Sequence, residues 1–128
     1  MERAPFTAKP RAILVVEDEF LIAMEMEAIL TAHGLVVIGP VATVDGALDL
    51  LKRQRPDAAV LDINLRGIAV TPVARTLREM NVPFVIATAY RSSDLPADSV
   101  LRDAVIVGKP IKEAAFLEIL RRLIGSGL

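Results

Sequence analysis

The chain has 128 residues, a formal net charge of -1 and no cysteine, so it is sized for one domain and has no disulfide framework, thiolate metal site or cysteine nucleophile. Hydrophobic residues make up 53% of it and aromatic residues only 4%. A core built from Val, Leu, Ile and Ala suits a parallel sheet covered by helices. Acidic and basic residues are interspersed, without the basic footprint that nucleic-acid binding requires. Every apolar stretch is cut by charge, glycine or proline well before the roughly eighteen residues of a membrane span. These features point to a soluble, cytoplasmic protein with no direct contact with nucleic acid and none with a membrane.

Residues 1–10 contain Pro5 and Pro10 and no pattern of a signal peptide, and are expected to be a disordered tail before a domain covering 11–125. Ala12 to Val16 is a continuous apolar run, as expected of a strand buried on both faces, and it stops at Glu17 and Asp18. A helix follows with Ile22, Met26, Ile29 and Leu30 on one stripe, and Gly34 fits its C-terminal cap. The second strand is expected at about Leu35 to Ile38. Thr43 can cap a second helix carrying Val44, Ala47, Leu48 and Leu51 inward, which Pro56 forces to break.

Ala58 to Leu61 is the third strand and ends in Asp62, after which Asn64, Arg66 and Gly67 read as loop. Thr71 and Pro72 form a cap and first-turn pair for a third helix with Val73, Leu77 and Met80 inward. Val82 to Ala87 is the fourth strand. Tyr90 to Asp103, with three serines, Pro96 and three aspartates, leaves room for a short fourth helix in a mobile stretch. The fifth strand, Ala104 to Val107, runs into Gly108, Lys109 and Pro110, and a last helix carries Phe116, Leu120, Leu123 and Ile124 inward. Strands and helices thus alternate five times, the pattern of a doubly wound α/β fold with a parallel sheet.

Ligand sites in such sheets lie outside the carboxyl ends of the strands. Glu17 and Asp18 follow the first strand, Asp62 ends the third, Thr88 follows the fourth and Lys109 the fifth. Taken singly, each has an ordinary explanation as a cap, a helix-dipole partner, a turn residue or a surface cation. Their convergence on one sheet edge is what marks a site. Neighbouring strands are ~4.8 Å apart, and carboxylates at such range repel by roughly 1 to 4 kcal/mol per pair. A divalent cation answers that repulsion, and an oxygen-only donor set selects a hard ion such as Mg2+. A metal beside a strand-end carboxylate and a lysine suits phosphoryl transfer, with Asp62 as nucleophile and Lys109 as counter-charge. His33, near a helix end, is a poor candidate for a phosphohistidine or a metal ligand.

Val16-Glu17-Asp18, Leu61-Asp62-Ile63-Asn64, Ala87-Thr88-Ala89 and Gly108-Lys109-Pro110, in this order and spacing, resemble the receiver domain of bacterial two-component response regulators. The resemblance runs from about Arg11 to Ile124. It implies a flavodoxin-like five-stranded sheet of order 2-1-3-4-5 and a cis bond before Pro110. It also implies Asp62 as phosphoacceptor, with Thr88 hydrogen-bonding and Lys109 ion-pairing to the phosphoryl group. Mg2+ would be held by Asp18, Asp62 and the backbone carbonyl of Asn64, with Glu17 acting largely through water.

The implied partners are a histidine kinase or phosphotransfer protein and a downstream target protein. The implied role is that of a stand-alone signalling domain that promotes its own phosphorylation and dephosphorylation, and not an enzyme with a separate substrate. Pro83 to Tyr90 with Leu95-Pro96 is similar to the receiver subfamily with a Phe-Ala-Thr-Gly-Tyr-like signature, although Ile86 and Ala89 replace its Phe and Gly. Ile106 stands where many receivers carry an aromatic residue, so a conformational response is expected to run through Thr88 and Tyr90. The alternative reading is a small Mg2+-dependent phosphohydrolase with an aspartyl nucleophile, of the haloacid-dehalogenase kind. Such enzymes carry a second Asp two residues after the nucleophile, where this chain has Asn64.

Overall fold

The computed structural model describes residues 10–89, 101 and 104–125. Among these residues there are seven strands, β1 (Ala12–Val16), β2 (Val36–Val41), β3 (Ala58–Asp62), β4 (Asn64–Leu65), β5 (Ile68–Ala69), β6 (Phe84–Thr88) and β7 (Val105–Gly108). Among the described residues there are four helices, α1 (Phe20–Ala32), α2 (Val44–Arg53), α3 (Thr71–Glu79) and α4 (Glu113–Ile124). Five strands form one parallel sheet of order β2-β1-β3-β6-β7. Its spatial order is the expected 2-1-3-4-5 once the small β4–β5 hairpin is set aside. The tail 1–9 and nearly all of the Tyr90 to Asp103 stretch, with the short fourth helix expected there, lie outside the described residues. Leu101, within that stretch, is fully buried.

Burial follows position in the sheet. The inner strands β3 and β6 are buried at every residue and β1 at four of its five, which is why they read as continuous apolar runs. The edge strands β2 and β7 alternate with exposed residues. Successive side chains of a strand point to opposite faces, and the sheet divides its core accordingly. Leu14, Ala59, Leu61 and Ile86 pack with Val44, Ala47 and Leu51 of α2 and Val73 and Leu77 of α3. Ile13, Val15, Val60 and Val85 pack with Met26 and Leu30 of α1 and Phe116 and Leu120 of α4.

Several local signals are met. Thr43 Oγ1 accepts the Gly46 amide at 3.0 Å, Gly34 has φ +80° just beyond α1, and the Lys109–Pro110 bond is cis. Others shift. β2 starts one residue later than expected and continues through a second cis bond, Gly39–Pro40, to Val41, which an edge strand tolerates because a proline there need not donate on its open side. Thr71 does not cap α3. It is already helical, and the Val70 carbonyl at the cap accepts the amides of Val73 (2.9 Å) and Ala74 (3.1 Å). Met80 is only partly buried, one residue past the helix.

The stretch expected as loop after Asp62 contains a two-stranded antiparallel hairpin, Asn64 opposite Ala69 and Leu65 opposite Ile68. Its turn residues Arg66 and Gly67 have φ +54° and +84°, the backbone required by a two-residue hairpin turn. Leu14 lies in an inner strand with no exposed surface, so Leu14→Ala should cost about 2–5 kcal/mol through lost burial and the cavity left behind, read as a lower urea midpoint with an unchanged slope.

Candidate functional site at the carboxyl edge of the sheet

The chain steps outward from β1 to β2 and then returns to β3 on the other side of β1, so the strand order reverses between β1 and β3. Crevices at such reversals are where doubly wound folds place ligands. Val16 is in register with Leu61, and the next residues of the two strands are Glu17 and Asp62. Thr88 ends β6 in register with Gly108, and the Lys109 amide donates to the Thr88 carbonyl at 3.1 Å. The sheet register therefore gathers Glu17, Asp18, Asp62, Thr88 and Lys109 at one edge. Asp18, Asp62, Thr88 and Lys109 line a cleft of about 320 Å³.

The cleft is charged and partly withdrawn from solvent. Glu17, Asp62 and Thr88 are 2%, 8% and 2% exposed. Carboxylate oxygens of Glu17, Asp18 and Asp62 lie within 4.8 Å of one another. The Lys109 ammonium is 2.9 Å from Glu17 Oε1 and 3.5 Å from Asp62 Oδ2. Glu17 Oε1 has this ion-pair contact but no hydrogen bond of adequate angle among the described residues. The other oxygen, Oε2, accepts the Glu19 amide at 3.1 Å. Asp18 Oδ2 accepts the Arg66 amide at 3.0 Å, which ties the end of β1 to the β4–β5 hairpin.

Two protonation equilibria follow from this crowding. Burial and then the negative charge of Glu17 push the Asp62 carboxyl up from 3.8 to about 7, and the Lys109 charge offsets them only in part. For Lys109, burial works against the ammonium, but its close pairing with Glu17 and the charge of Asp62 outweigh it, so its pKa rises above the ordinary 10.5. The lysine is therefore a permanent cation at neutral pH, while Asp62 is poised between its two forms.

The donors suit a hard divalent cation. Among the described residues they are three carboxylates with oxygens within 4.8 Å of one another and one ammonium between them, with no nitrogen or sulfur ligand that would favour a softer metal. His33 stands apart, exposed, with Nδ1 3.0 Å from the Ile29 carbonyl and Nε2 3.8 Å from Glu113. The sequence reading brought together the residues that the structure brings together, but it left out the direct Lys109–Glu17 pair and the place of Arg66 on the cleft. The first could have been found from the adjacency of β1 and β3, and the second from Arg66-Gly67 read as a hairpin turn.

The response regulator receiver domain family matches residues 13–121. This chain belongs to that family. Among solved structures, SdrG from Sphingomonas melonis Fr1 is similar to this receiver at 39% identity and a TM-score of 0.78, over 91% of this chain and 98% of that one. The BeF3-activated conformation of SdrG from Pseudomonas melonis Fr1 matches at 40% identity and a TM-score of 0.76, over 89% and 96% of the two chains. Among curated relatives, the transcriptional regulatory protein PdtaR of Mycobacterium tuberculosis is 28% identical over 89 residues, 69% of this receiver and 43% of PdtaR. The receiver thus spans less than half the length of that relative. No helix among its described residues is long and apolar enough to cross a membrane.

The raised pKa of Asp62 makes stability depend on pH with a definite sign. Without a divalent cation, the folded state keeps a proton on Asp62 between about pH 4 and 7 that the unfolded chain has released. Stability from this group is therefore lost as pH rises through that window. In a chelator, the Tm of the wild type should fall from pH 5 to pH 8 more steeply than that of Asp62→Asn, and the variant should be the more stable of the two at pH 8. Parallel Tm profiles in thermal melts would contradict the raised pKa of Asp62.

Proposed function

We propose that this receiver accepts a phosphoryl group on Asp62 from the phosphohistidine of a histidine kinase or phosphotransfer protein, and passes the signal on by protein contact. The observation that carries the reading is Asp62 itself: a strand-end carboxylate of the cleft, with the Lys109 ammonium at 3.5 Å and carboxylates of Glu17 and Asp18 beside it. The reading covers a receiver unit of residues 11–125 that acts on itself and not on a separate substrate. It is preferred to a phosphohydrolase because the family match from 13 to 121 takes in all four motif-bearing strand ends.

In the transfer, an Asp62 carboxylate oxygen attacks phosphorus. A P–O bond forms as the P–N bond of the phosphohistidine breaks, and the departing imidazole nitrogen takes up a proton. Ionised Asp62 is the attacking form, and Lys109 supports it by favouring the carboxylate. Thr88, ending β6 on the same cleft, donates its hydroxyl to a phosphoryl oxygen. Such a charge-assisted hydrogen bond is stronger than a neutral one.

Asp18, Asp62 and the Asn64 backbone carbonyl would hold Mg2+, and Glu17, engaged by Lys109 at 2.9 Å, would act on it through water. Bound there, the ion supplies positive charge to the transferring phosphoryl oxygens. Tyr90, expected to report the switch with Thr88, lies outside the described residues, and Ile106 on β7 is half-buried. Exposed Phe20 and Leu21, 72% and 79% accessible at the start of α1 two residues beyond Asp18, favour a protein partner beside the cleft.

With Mg2+ and acetyl phosphate, intact-mass analysis of the wild type should show one phosphoryl adduct, and Asp62→Asn should show none. An adduct on that variant at the wild-type rate would remove Asp62 from the role. Asp18→Asn should keep the acceptor but weaken Mg2+ binding about tenfold, since one anionic ligand is lost. The check is the Mg2+ concentration needed for half-maximal stabilisation of the Tm.

A further inference from the structure

Lys109 is not alone among cations on the cleft, because Arg66 lines it as well. Arg66 sits at the turn of the β4–β5 hairpin, and that hairpin is anchored. Leu65 and Val70 are 2% and 0% exposed, and the Val70 amide donates to the Ile63 carbonyl at 3.1 Å. The Arg66 amide is in turn bonded to Asp18 Oδ2 at 3.0 Å, and Asp18 and Asp62 have carboxylate oxygens within 4.8 Å of each other. The arginine backbone is thus fixed one carboxylate away from Asp62, a span that an arginine side chain can cross.

Turn chemistry does not account for an arginine here. A backbone at φ +54° suits Gly or Asn better than a long side chain, and either would keep the amide that bonds Asp18. No pairing accounts for it either, since among the described residues the exposed Arg66 guanidinium has no ion-pair partner. Apart from Arg66, the cleft has no uncommitted positive charge among the described residues. Asp18, Glu19 and Asp62 line it, Glu17 lies behind it, and the Lys109 ammonium is already shared between Glu17 and Asp62. A phosphoryl donor brings further negative charge into this acidic mouth, and a guanidinium offers the paired donors that phosphoryl oxygens accept.

We propose that Arg66 is a second phosphoryl-binding cation of the cleft, which draws in the anionic phosphoryl donor and then holds the phosphoryl oxygens on the side of the hairpin. This rests on the phosphoacceptor reading of Asp62 and extends it to a residue of the turn.

The test titrates the full chain, with saturating Mg2+, with beryllofluoride as the phosphoryl mimic, followed by amide NMR shifts. The variants are Arg66→Asn, which suits the positive φ and keeps the backbone amide, and Arg66→Lys, which keeps the charge. Arg66→Asn should bind beryllofluoride about three- to tenfold more weakly than wild type at low salt. The gap should narrow at about 0.5 M salt, where an exposed charge is screened. Arg66→Lys should recover most of the loss, and Mg2+ affinity measured alone should not fall in either variant. Equal beryllofluoride affinity of Arg66→Asn and wild type at low salt would overturn the proposal. So would a matching loss of Mg2+ affinity, which would mean that the residue only shapes the turn that holds Asp18. Absence of beryllofluoride binding to the wild type would instead bring down the phosphoacceptor reading, and this inference with it.

Discussion

Two adjacent parallel strands that both end in acidic residues force like charges together, and the rest of this site is a response to that constraint. β1 delivers Glu17 and Asp18 and β3 delivers Asp62, in a register that leaves Glu17 beside Asp62. Lys109 answers part of the repulsion, at 2.9 Å from one carboxylate and 3.5 Å from the other. It does not offset everything that acts on Asp62, since burial first and then the charge of Glu17 push that carboxyl up to about 7. The residual excess of negative charge suits a further positive charge, and a cation held there would in turn favour the ionised carboxylate.

Such crowding survives only on a rigid frame, since electrostatic repulsion would otherwise splay the strand ends apart. The frame is a sheet whose inner strands are buried on both faces by helices, with α1 and α4 on one side and α2 and α3 on the other. Close packing makes these strand ends costly to move. The lysine is positioned by the same means: its amide is bonded to the Thr88 carbonyl, so the ends of β6 and β7 are tied together next to the acidic pair. The hairpin after β3 adds a wall to the cleft and carries the Arg66 amide, which engages Asp18 from outside the sheet.

Much of the fold was legible because its signals are local. The runs Ala12 to Val16 and Ala58 to Leu61 are apolar at every position, which only a strand buried on both faces requires, and the stripes of α1 and α2 recur at helical spacing. Thr43 and Gly34 act at their helix ends as such residues do in isolation. The misreadings fell where tertiary context overrode local preference. The second strand was expected to end at about Ile38, but β2 lies at a sheet edge and continues through Pro40 to Val41. Thr71 looked like a cap, but the Val70 carbonyl already served the first turn of α3. Asn64, Arg66 and Gly67 all read as loop, and only the pairing of Leu65 with Ile68 shows that Asn64 lies in a strand and that Arg66 and Gly67 form the turn of a hairpin.

The sequence by itself determined the alternation of strands and helices, the two-faced burial of the inner strands and the placing of Glu17, Asp18, Asp62, Thr88 and Lys109 at the ends of those strands, because each is encoded in periodicity or in position relative to an apolar run. Its resemblance to receivers fixed the family and the strand order. Only the tertiary structure decided which of these groups touch. That Lys109 pairs with Glu17 more closely than with Asp62, that Asp62 has its proton equilibrium moved towards neutrality, and that Arg66 shares the cleft all depend on distances between segments far apart in the chain. Those distances are set by strand register and helix packing, which no local pattern of residues specifies.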